Sequence, residues 1–149
     1  MNTQQDDIKA SICHQQNIHK EIDLIQSCIN RMAQYSFFIK GWIISLIMLF
    51  LTLLEKKPIT FSIILLIIPM LFFWYLDAFF LHTERSFREL YKWVIIERPK
   101  GNFDRMYDLD LSRFKDQVST PISLMKSNTL IAFYSGNYLF LLILSILNT

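Results

Sequence analysis

Residues 59–81 read ITFSIILLIIPMLFFWYLDAFFL, and this stretch decides the fold class of the chain. The 18 residues that precede Asp77 carry no charge. A helix that crosses a bilayer needs about 20 consecutive apolar residues, so the stretch has the length and composition of a membrane span. Pro69 lies inside it and predicts a kink rather than an end, because membrane helices tolerate proline.

Two further apolar blocks flank this span, at residues 36–54 and 127–149. The uncharged core of the first block, Gly41–Leu54, is 14 residues long and short for a span. Extending it back to residue 36 gives 19 residues and places Lys40 near the interface, where its ammonium can snorkel to water. The last block has no charged residue. The pattern predicts three transmembrane helices, at 36–54, 59–81 and 127–149.

The composition agrees with an all-α integral membrane protein. Hydrophobic residues make up 52% of the chain and aromatic residues 15%, with mean hydropathy +0.29 and 3 glycines. These values argue against a soluble fold, a disordered chain and a disulfide-stapled secreted module. We expect the two cysteines, Cys13 and Cys28, to be free thiols in a reducing compartment.

The distribution of basic residues predicts the orientation of the three spans. Residues 1–40 hold four Lys/Arg and residues 82–126 hold nine, whereas the turn between the first two spans holds two. Basic residues favour the cytoplasmic side of a membrane. We therefore expect residues 1–35 and 82–126 to be cytoplasmic and the C-terminus to lie outside. We also expect the second span to continue as a helix past His82 until Pro99-Lys100-Gly101-Asn102 ends it, with a loop of weak helical content up to residue 126.

The cytoplasmic segment 1–35 predicts a helix that assembles with copies of itself. Its apolar residues recur at spacings of 4, 3, 4 and 3, which is the seam of a coiled coil. Isoleucine at both seam positions favours trimers or tetramers over dimers. The alternative is an amphipathic helix that packs on its own loop or lies on the membrane surface. The predicted oligomer seam consists of Ile18, Ile22, Ile25, Ile29 and Met32.

The same register continues into the first span without a helix breaker. One long helix is therefore expected to run from the cytoplasm into the bilayer, and a bundle axis would pass into the membrane with it. An apolar ring on that axis can gate a pore by dewetting. Any leucine-rich span supplies a similar row by chance, so this is one of two interpretations. The predicted pore and gate residues are Ile39, Ile43, Leu46, Phe50 and Leu53.

Two charged residues fall inside or beside the predicted spans, Asp77 and Lys40. A carboxylate inside a membrane is by default a candidate functional group. Because Asp77 lies near the predicted interface, a structural ion pair with a basic residue of a neighbouring helix is favoured over ion coordination.

No catalytic or metal-binding pattern stands out. The three histidines, at 14, 19 and 82, lack partners at metal-ligand spacing, and no phosphate loop or hydrolase motif is present. The sequence predicts neither an enzyme nor a bound metal or cofactor.

The run Trp74–Leu81, followed by Glu84-Arg85, Phe87-Arg88 and Leu90-Tyr91, resembles the core signature of a family of small bacterial membrane proteins. The segments from Asn30 to Met32 and from Lys40 to Trp42 resemble that family as well. The chain looks most similar to the Hailong-type membrane effectors of bacterial anti-phage defence. That resemblance implies a tetrameric channel in the bacterial inner membrane.

In that family, single-stranded DNA made by a partner nucleotidyltransferase controls the channel, and opening halts the infected cell. Such a ligand would need phosphate-binding groups on the cytoplasmic helix, repeated around the oligomer. The residues available for that role are Lys9, His14, His19, Lys20 and Arg31.

The sequence therefore predicts a homo-oligomeric channel that its cytoplasmic bundle holds closed and a nucleic-acid or nucleotide-derived ligand controls. When open, it would depolarise the membrane. The alternative is a non-conducting membrane scaffold that docks a cytoplasmic partner protein. The apolar row on the first span favours the channel, and the lack of a continuous polar stripe in any span favours the scaffold.

Overall fold

A computed structural model of the chain describes residues 2–53 and 59–147, of which none forms a strand. Helix accounts for 84% of the structure, which confirms the all-α class. The elements, in chain order, are α1 (Asn2–Leu53), α2 (Ile59–Glu97), two 3-10 turns (Arg98–Lys100 and Leu111–Phe114), α3 (Pro121–Leu124) and α4 (Asn128–Leu147).

The two long helices follow from the placement of glycine and proline. α1 is one continuous helix of 52 residues, as predicted, because no Gly or Pro precedes Gly41. α2 runs through Pro69 and on past His82, also as predicted. It gives way to a 3-10 turn at Arg98-Pro99, and Gly101 closes that turn with φ +85°, donating its N–H to the Arg98 carbonyl at 3.1 Å.

Side-chain caps start the short elements of the segment that was expected to be mostly loop. The Asp110 carboxylate accepts the backbone N–H of Ser112 at 2.9 Å and begins the second 3-10 turn. Thr120 caps α3 in the same way through the N–H of Ser123, at 3.4 Å.

The chain divides into two compact units. Unit 1 combines residues 1–31 with Glu84–Val118, and unit 2 combines Met32–Thr83 with residues 119–149. The helices α1 and α2 each contribute residues to both units.

The core of unit 2 is formed by side chains from α1, α2 and α4. Its buried aliphatic members include Ile43, Leu66, Met70 and Leu141, each at most 2% exposed. Many large apolar side chains around this core are exposed, among them Trp42, Ile68 and Phe72. A soluble domain seldom exposes so many large apolar side chains.

Two helices of the structure are long and apolar enough to cross a membrane. The segments concerned are Ile12–Thr52 and Ile63–Lys100, and 17% and 22% of their most apolar windows are buried. The core helix of a soluble protein would be mostly buried, so this exposure supports contact with lipid. The apolar stretch of α4 that the structure describes in full, Asn128–Leu144, is shorter.

In the N-terminal part of α1 the buried face differs from the predicted oligomer seam. Glu21, Ile25 and Cys28 are at most 5% exposed within the single chain, whereas Ile18, Ile22, Ile29 and Met32 are half-buried. Ile25 therefore already packs inside the protomer. This arrangement favours the alternative in which the helix packs on its own chain; whether copies of the helix also associate stays a prediction.

The predicted pore row is divided in a similar way. Ile39 and Ile43 lie in the core of unit 2, with 5% and 1% exposure, because the α1 face that carries them packs against α2 and α4. Leu46 and Phe50 are partly buried against the same core. The side chain of Leu53 lies outside the described residues. A pore ring stays a prediction, and in this structure Ile39 and Ile43 are not accessible to form it.

Candidate functional site

Unit 2 holds a partly buried ion pair between α1 and α2. The Lys40 ammonium lies 2.6 Å from Oδ2 of Asp77, and the Asp77 side chain is fully buried. The Lys40 side chain is 25% exposed. The structure thus gives Asp77 a basic partner on a neighbouring helix, and Lys40 reaches this carboxylate instead of only snorkelling to water.

Ser36 completes the contacts of the pair. It lies one helical turn before Lys40, so the two side chains share one face of α1. The Ser36 hydroxyl donates to Oδ1 of Asp77 and accepts from the Lys40 ammonium at 2.8 Å. The ammonium also approaches the Ser36 carbonyl, at 3.3 Å, and the Phe133 ring, at 5.8 Å from its centroid.

Tyr134 brings α4 to the same cluster. Its side chain is fully buried, and its hydroxyl is the one buried side-chain polar atom without a hydrogen-bond partner in the described part of the chain. The Asp77 carboxylate is both the charge and the hydrogen-bond acceptor that this hydroxyl faces. The Trp74 ring stacks on Tyr134 with centroids 5.3 Å apart, and its Nε1 donates to the Met125 carbonyl at 3.2 Å.

A second buried pair lies in unit 1. Arg98 donates through Nε and Nη2 to the two carboxylate oxygens of Glu21, at 2.8 and 2.7 Å, and both side chains are about 2% exposed or less. Its remaining N–H groups donate to the carbonyls of Asn102, Asp104 and Arg105. The Glu21 carboxylate also accepts the backbone N–H of Tyr107, at 3.1 Å.

This second pair holds a turn in an uncommon backbone conformation. Arg105 and Tyr107 have φ of 53° and 65°, the left-handed region that non-glycine residues rarely adopt. The hydrogen bonds that Arg98 and Glu21 make with this segment offset the energetic cost of these positive φ angles. Arg98 and Arg113 both lie over the ring of Trp93, at 5.1 and 4.7 Å. The arrangement in unit 1 is that of a structural anchor.

Exposed carboxylates of unit 1 are perturbed by local hydrogen bonds. The Ser112 hydroxyl, followed by the Ser112 backbone N–H, lowers the pKa of Asp110 below its ordinary value. A hydrogen bond from Lys100 is the largest cause that lowers the pKa of Glu97. Both carboxyl groups lie at the surface, and the largest causes of their pKa shifts are residues two or three positions away in the chain.

The predicted phosphate-binding residues do not form one cluster. His14 stacks on Phe103 with ring centroids 4.4 Å apart, and Arg31 contacts Sγ of Cys28 at 3.7 Å. His19 and Lys20 are exposed, and the side chain of Lys9 lies outside the described residues. Within the described part of the chain, no hydrogen bond joins these side chains to one another, and no group of three or more His, Cys, Asp or Glu residues could hold a metal ion.

Sequence reasoning missed Ser36, Tyr134 and the pair of Glu21 with Arg98. Ser36 had a usable signal, since it lies four residues before Lys40 on the same helix face. Glu21 looked like one of several balancing surface charges, although it shares the spacing of Ile25 and Cys28. Comparison with known proteins identifies no relative: no protein-family model, no curated protein and no solved structure matches the chain.

Proposed function

We propose that the chain is a subunit of a homo-oligomeric ion channel in the bacterial inner membrane, and that it acts as an effector of anti-phage defence. The observation that supports a channel is the partly buried pair of Lys40 and Asp77 beside the apolar core of unit 2. Ionisable groups at membrane depth are costly and are typical of ion pathways and gates.

In this proposal unit 2 is the membrane-embedded part and crosses the bilayer three times. The exposed apolar side chains of α1 and α2 support the first two spans, and α4 supplies the third with its uncharged sequence. The excess of Lys and Arg in residues 1–40 and 82–126 supports a cytoplasmic N-terminus and an external C-terminus. Unit 1 would then be cytoplasmic.

The gate of the proposed channel is the ion pair rather than the full row of apolar side chains on α1. Ile39 and Ile43 pack inside the protomer, so only Leu46 and Phe50 remain near its surface among the described pore residues. With Lys40 bound to Asp77, the ammonium occupies the polar site. In this proposal ions then cannot pass, and the channel is closed. Tetrameric assembly of such subunits would place four copies of the pair around one axis.

Control by a nucleic-acid ligand rests on the sequence resemblance. His19, Lys20 and Arg31 are exposed on unit 1 and are free to meet phosphates. Their repetition in an oligomer would add up to a ring of positive charge. A ligand made by a partner nucleotidyltransferase would bind there and change the state of the gate.

The channel is tested by ion flux from liposomes that contain the purified protein. Lys40→Met removes the ammonium from the site and should raise cation flux well above that of the wild type. It should also depolarise cells that express it. Lys92→Met is the matched control, because Lys92 makes an exposed ion pair with Glu89 in unit 1. The channel is contradicted if wild type and Lys40→Met both insert into the liposomes and neither gives more ion flux than empty liposomes.

A membrane scaffold is the second candidate. The observation that favours it is the burial of Ile25, Ile39 and Ile43 within a single chain, which leaves no uninterrupted apolar seam for a pore axis. A scaffold would retain a partner protein through unit 1 and would conduct no ions in any variant. Co-purification of a defined partner, abolished by charge reversal at Lys20 and Arg31, would support it together with a negative flux result.

A further inference from the structure

The Lys40 ammonium lies among oxygen atoms that resemble the coordination shell of a small cation. Oδ2 of Asp77, the Ser36 hydroxyl and the Ser36 carbonyl lie 2.6, 2.8 and 3.3 Å from its nitrogen. The Phe133 ring presents its π-face to the same charge. Carboxylate, hydroxyl and backbone carbonyl oxygens are also the ligands that replace the hydration shell of alkali cations in membrane proteins.

The unpartnered hydroxyl of Tyr134 points to a ligand beyond Lys40. A buried hydroxyl without a hydrogen bond is costly, so its retention needs an explanation. This hydroxyl lies on α4 and makes no hydrogen bond of ordinary geometry in the described part of the chain; the Asp77 carboxylate is the acceptor that it faces. Its oxygen can accept a cation as a further ligand.

We propose that Ser36, Asp77 and Tyr134 form a binding site for a monovalent cation, which the ammonium of Lys40 occupies as a tethered cation. A free alkali cation enters when Lys40 leaves. The site carries one negative charge, from Asp77, and its other ligands are neutral. This charge balance suits a singly charged ion better than a divalent one, which takes more carboxylates.

The inference rests on the proposed function in one respect, since it gives the channel a preference for cations. It also stands on its own as a statement about binding. Without Lys40, the fully buried carboxylate of Asp77 has no compensating charge. A buried carboxylate in that situation is costly and must take up either a proton or another cation.

The test measures thermal unfolding of Lys40→Met in detergent at mildly alkaline pH. The full-length protein is placed in potassium chloride, sodium chloride or N-methyl-D-glucamine chloride at equal ionic strength. Potassium or sodium should raise Tm saturably, by about 3–5 °C at ten times the Kd. The large organic cation cannot enter the site and should not raise it. Lys40→Arg is the control, because it keeps a tethered cation and should show the same Tm in the three salts.

Two double variants locate the ligands. Lys40→Met combined with Asp77→Asn should lose the cation effect, since the negative charge is gone. Lys40→Met combined with Tyr134→Phe should keep the effect at higher cation concentrations, since one ligand is missing. Equal dependence in all three variants that lack Lys40 would show that the ions act elsewhere and overturns the site.

An equal Tm of Lys40→Met in the three salts also overturns the proposal. If Lys40→Met does not fold, Lys40→Gln is measured instead, because its amide fits the same space. Failure of both to fold in every alkali salt contradicts the site, since a bound cation would restore the charge balance. Because binding is read in detergent, it is separable from conduction: a cation effect without flux contradicts only the channel, and flux without a cation effect contradicts only the site.

Discussion

Each unit contains an ion pair with a buried carboxylate, and the two pairs differ in how completely their hydrogen bonds are satisfied. In unit 1 the planar guanidinium of Arg98 meets Glu21 with two parallel bonds and gives its other N–H groups to three carbonyls. In unit 2 the ammonium of Lys40 meets Asp77 with one contact, remains 25% exposed, and has an unpartnered tyrosine hydroxyl nearby.

This difference separates a structural pair from a changeable one. Arg98 cannot leave its site without exposing buried carboxylate and carbonyl groups to an apolar surrounding, so its position is fixed. Lysine is a compact charge on a flexible stem and can withdraw toward water. Unit 1 is therefore expected to hold one conformation, whereas the polar cluster of unit 2 has a second state within reach.

The largest effect is expected when Arg98 is replaced by Leu. The change leaves the buried Glu21 carboxylate without its partner and releases the turn at Arg105 and Tyr107. We expect a loss of about 3–5 kcal/mol in the stability of unit 1. The loss in stability is measured by denaturing the protein in mixed micelles and monitoring the protease resistance of residues 84–118.

The control for that experiment is Arg88→Ala, which breaks an exposed pair with Glu84 on the same helix. It should cost about 1 kcal/mol or less. Similar losses for the two variants would show that the buried anchor is no stronger than a surface pair, and the contrast between the units would disappear.

A smaller effect is expected for Asp77→Asn in unit 2. The substitution removes the charge-assisted contact to Lys40, worth about 1.5–3 kcal/mol. Part of this loss is recovered because Lys40 can move to the interface. A double-mutant cycle with Lys40→Met in micelles isolates the coupling between the two residues. A coupling as large as the loss for Arg98→Leu would mean that Lys40 is held as firmly as Arg98.

Tyr134→Phe should change the stability of the wild-type protein little, or raise it by up to about 1 kcal/mol. The hydroxyl that it deletes is buried, faces the Asp77 carboxylate and makes no hydrogen bond of ordinary geometry, so little favourable contact is lost. Trp74→Phe provides the contrast, because it deletes the donor to the Met125 carbonyl and should destabilise unit 2. Clear destabilisation by Tyr134→Phe would reveal a hydrogen bond of that hydroxyl in the folded protein.

The smallest effect is expected at Asp110, whose carboxyl is exposed, in contrast to the buried carboxylates of Glu21 and Asp77. Because the folded-state pKa lies below the ordinary value of 3.8, the stabilisation from this cap is present above that value. It is lost as the pH falls through the lowered folded-state pKa. Carboxyl carbon NMR titration should show the pKa of Asp110 rising toward its ordinary value in Ser112→Ala. An unchanged pKa would mean that the Ser112 hydroxyl does not bond the carboxylate.

Periodicity and helix breakers predict the helices of this chain, but they do not predict what each helix face packs against. The absence of Gly and Pro before Gly41 predicted the full length of α1, and Pro99 with Gly101 predicted the end of α2. These signals are local. Which residues cover Ile25 or Ile43 depends on contacts far along the chain, and an apolar stripe looks the same whether it faces another copy or its own protomer.

The candidate site was predictable only in part for the same reason. Asp77 was evident as a charge inside an apolar run, and Lys40 as a charge at the edge of another. Their pairing needs α1 and α2 in one register, which a single sequence does not reveal. Tyr134 gave no signal, because a tyrosine in the first turns of an apolar helix is usual at a membrane–water interface.

The order of synthesis gives the pair of Glu21 with Arg98 a further consequence. The two residues are 77 positions apart in the chain, and the residues between them include most of unit 2. While the chain emerges from the ribosome, Glu21 is made early and must wait for its partner until both long helices have been translated. Unit 1 therefore completes its fold only after the apolar segments of both long helices have been made. A nascent chain that stalls before Arg98 would carry an unfinished unit 1.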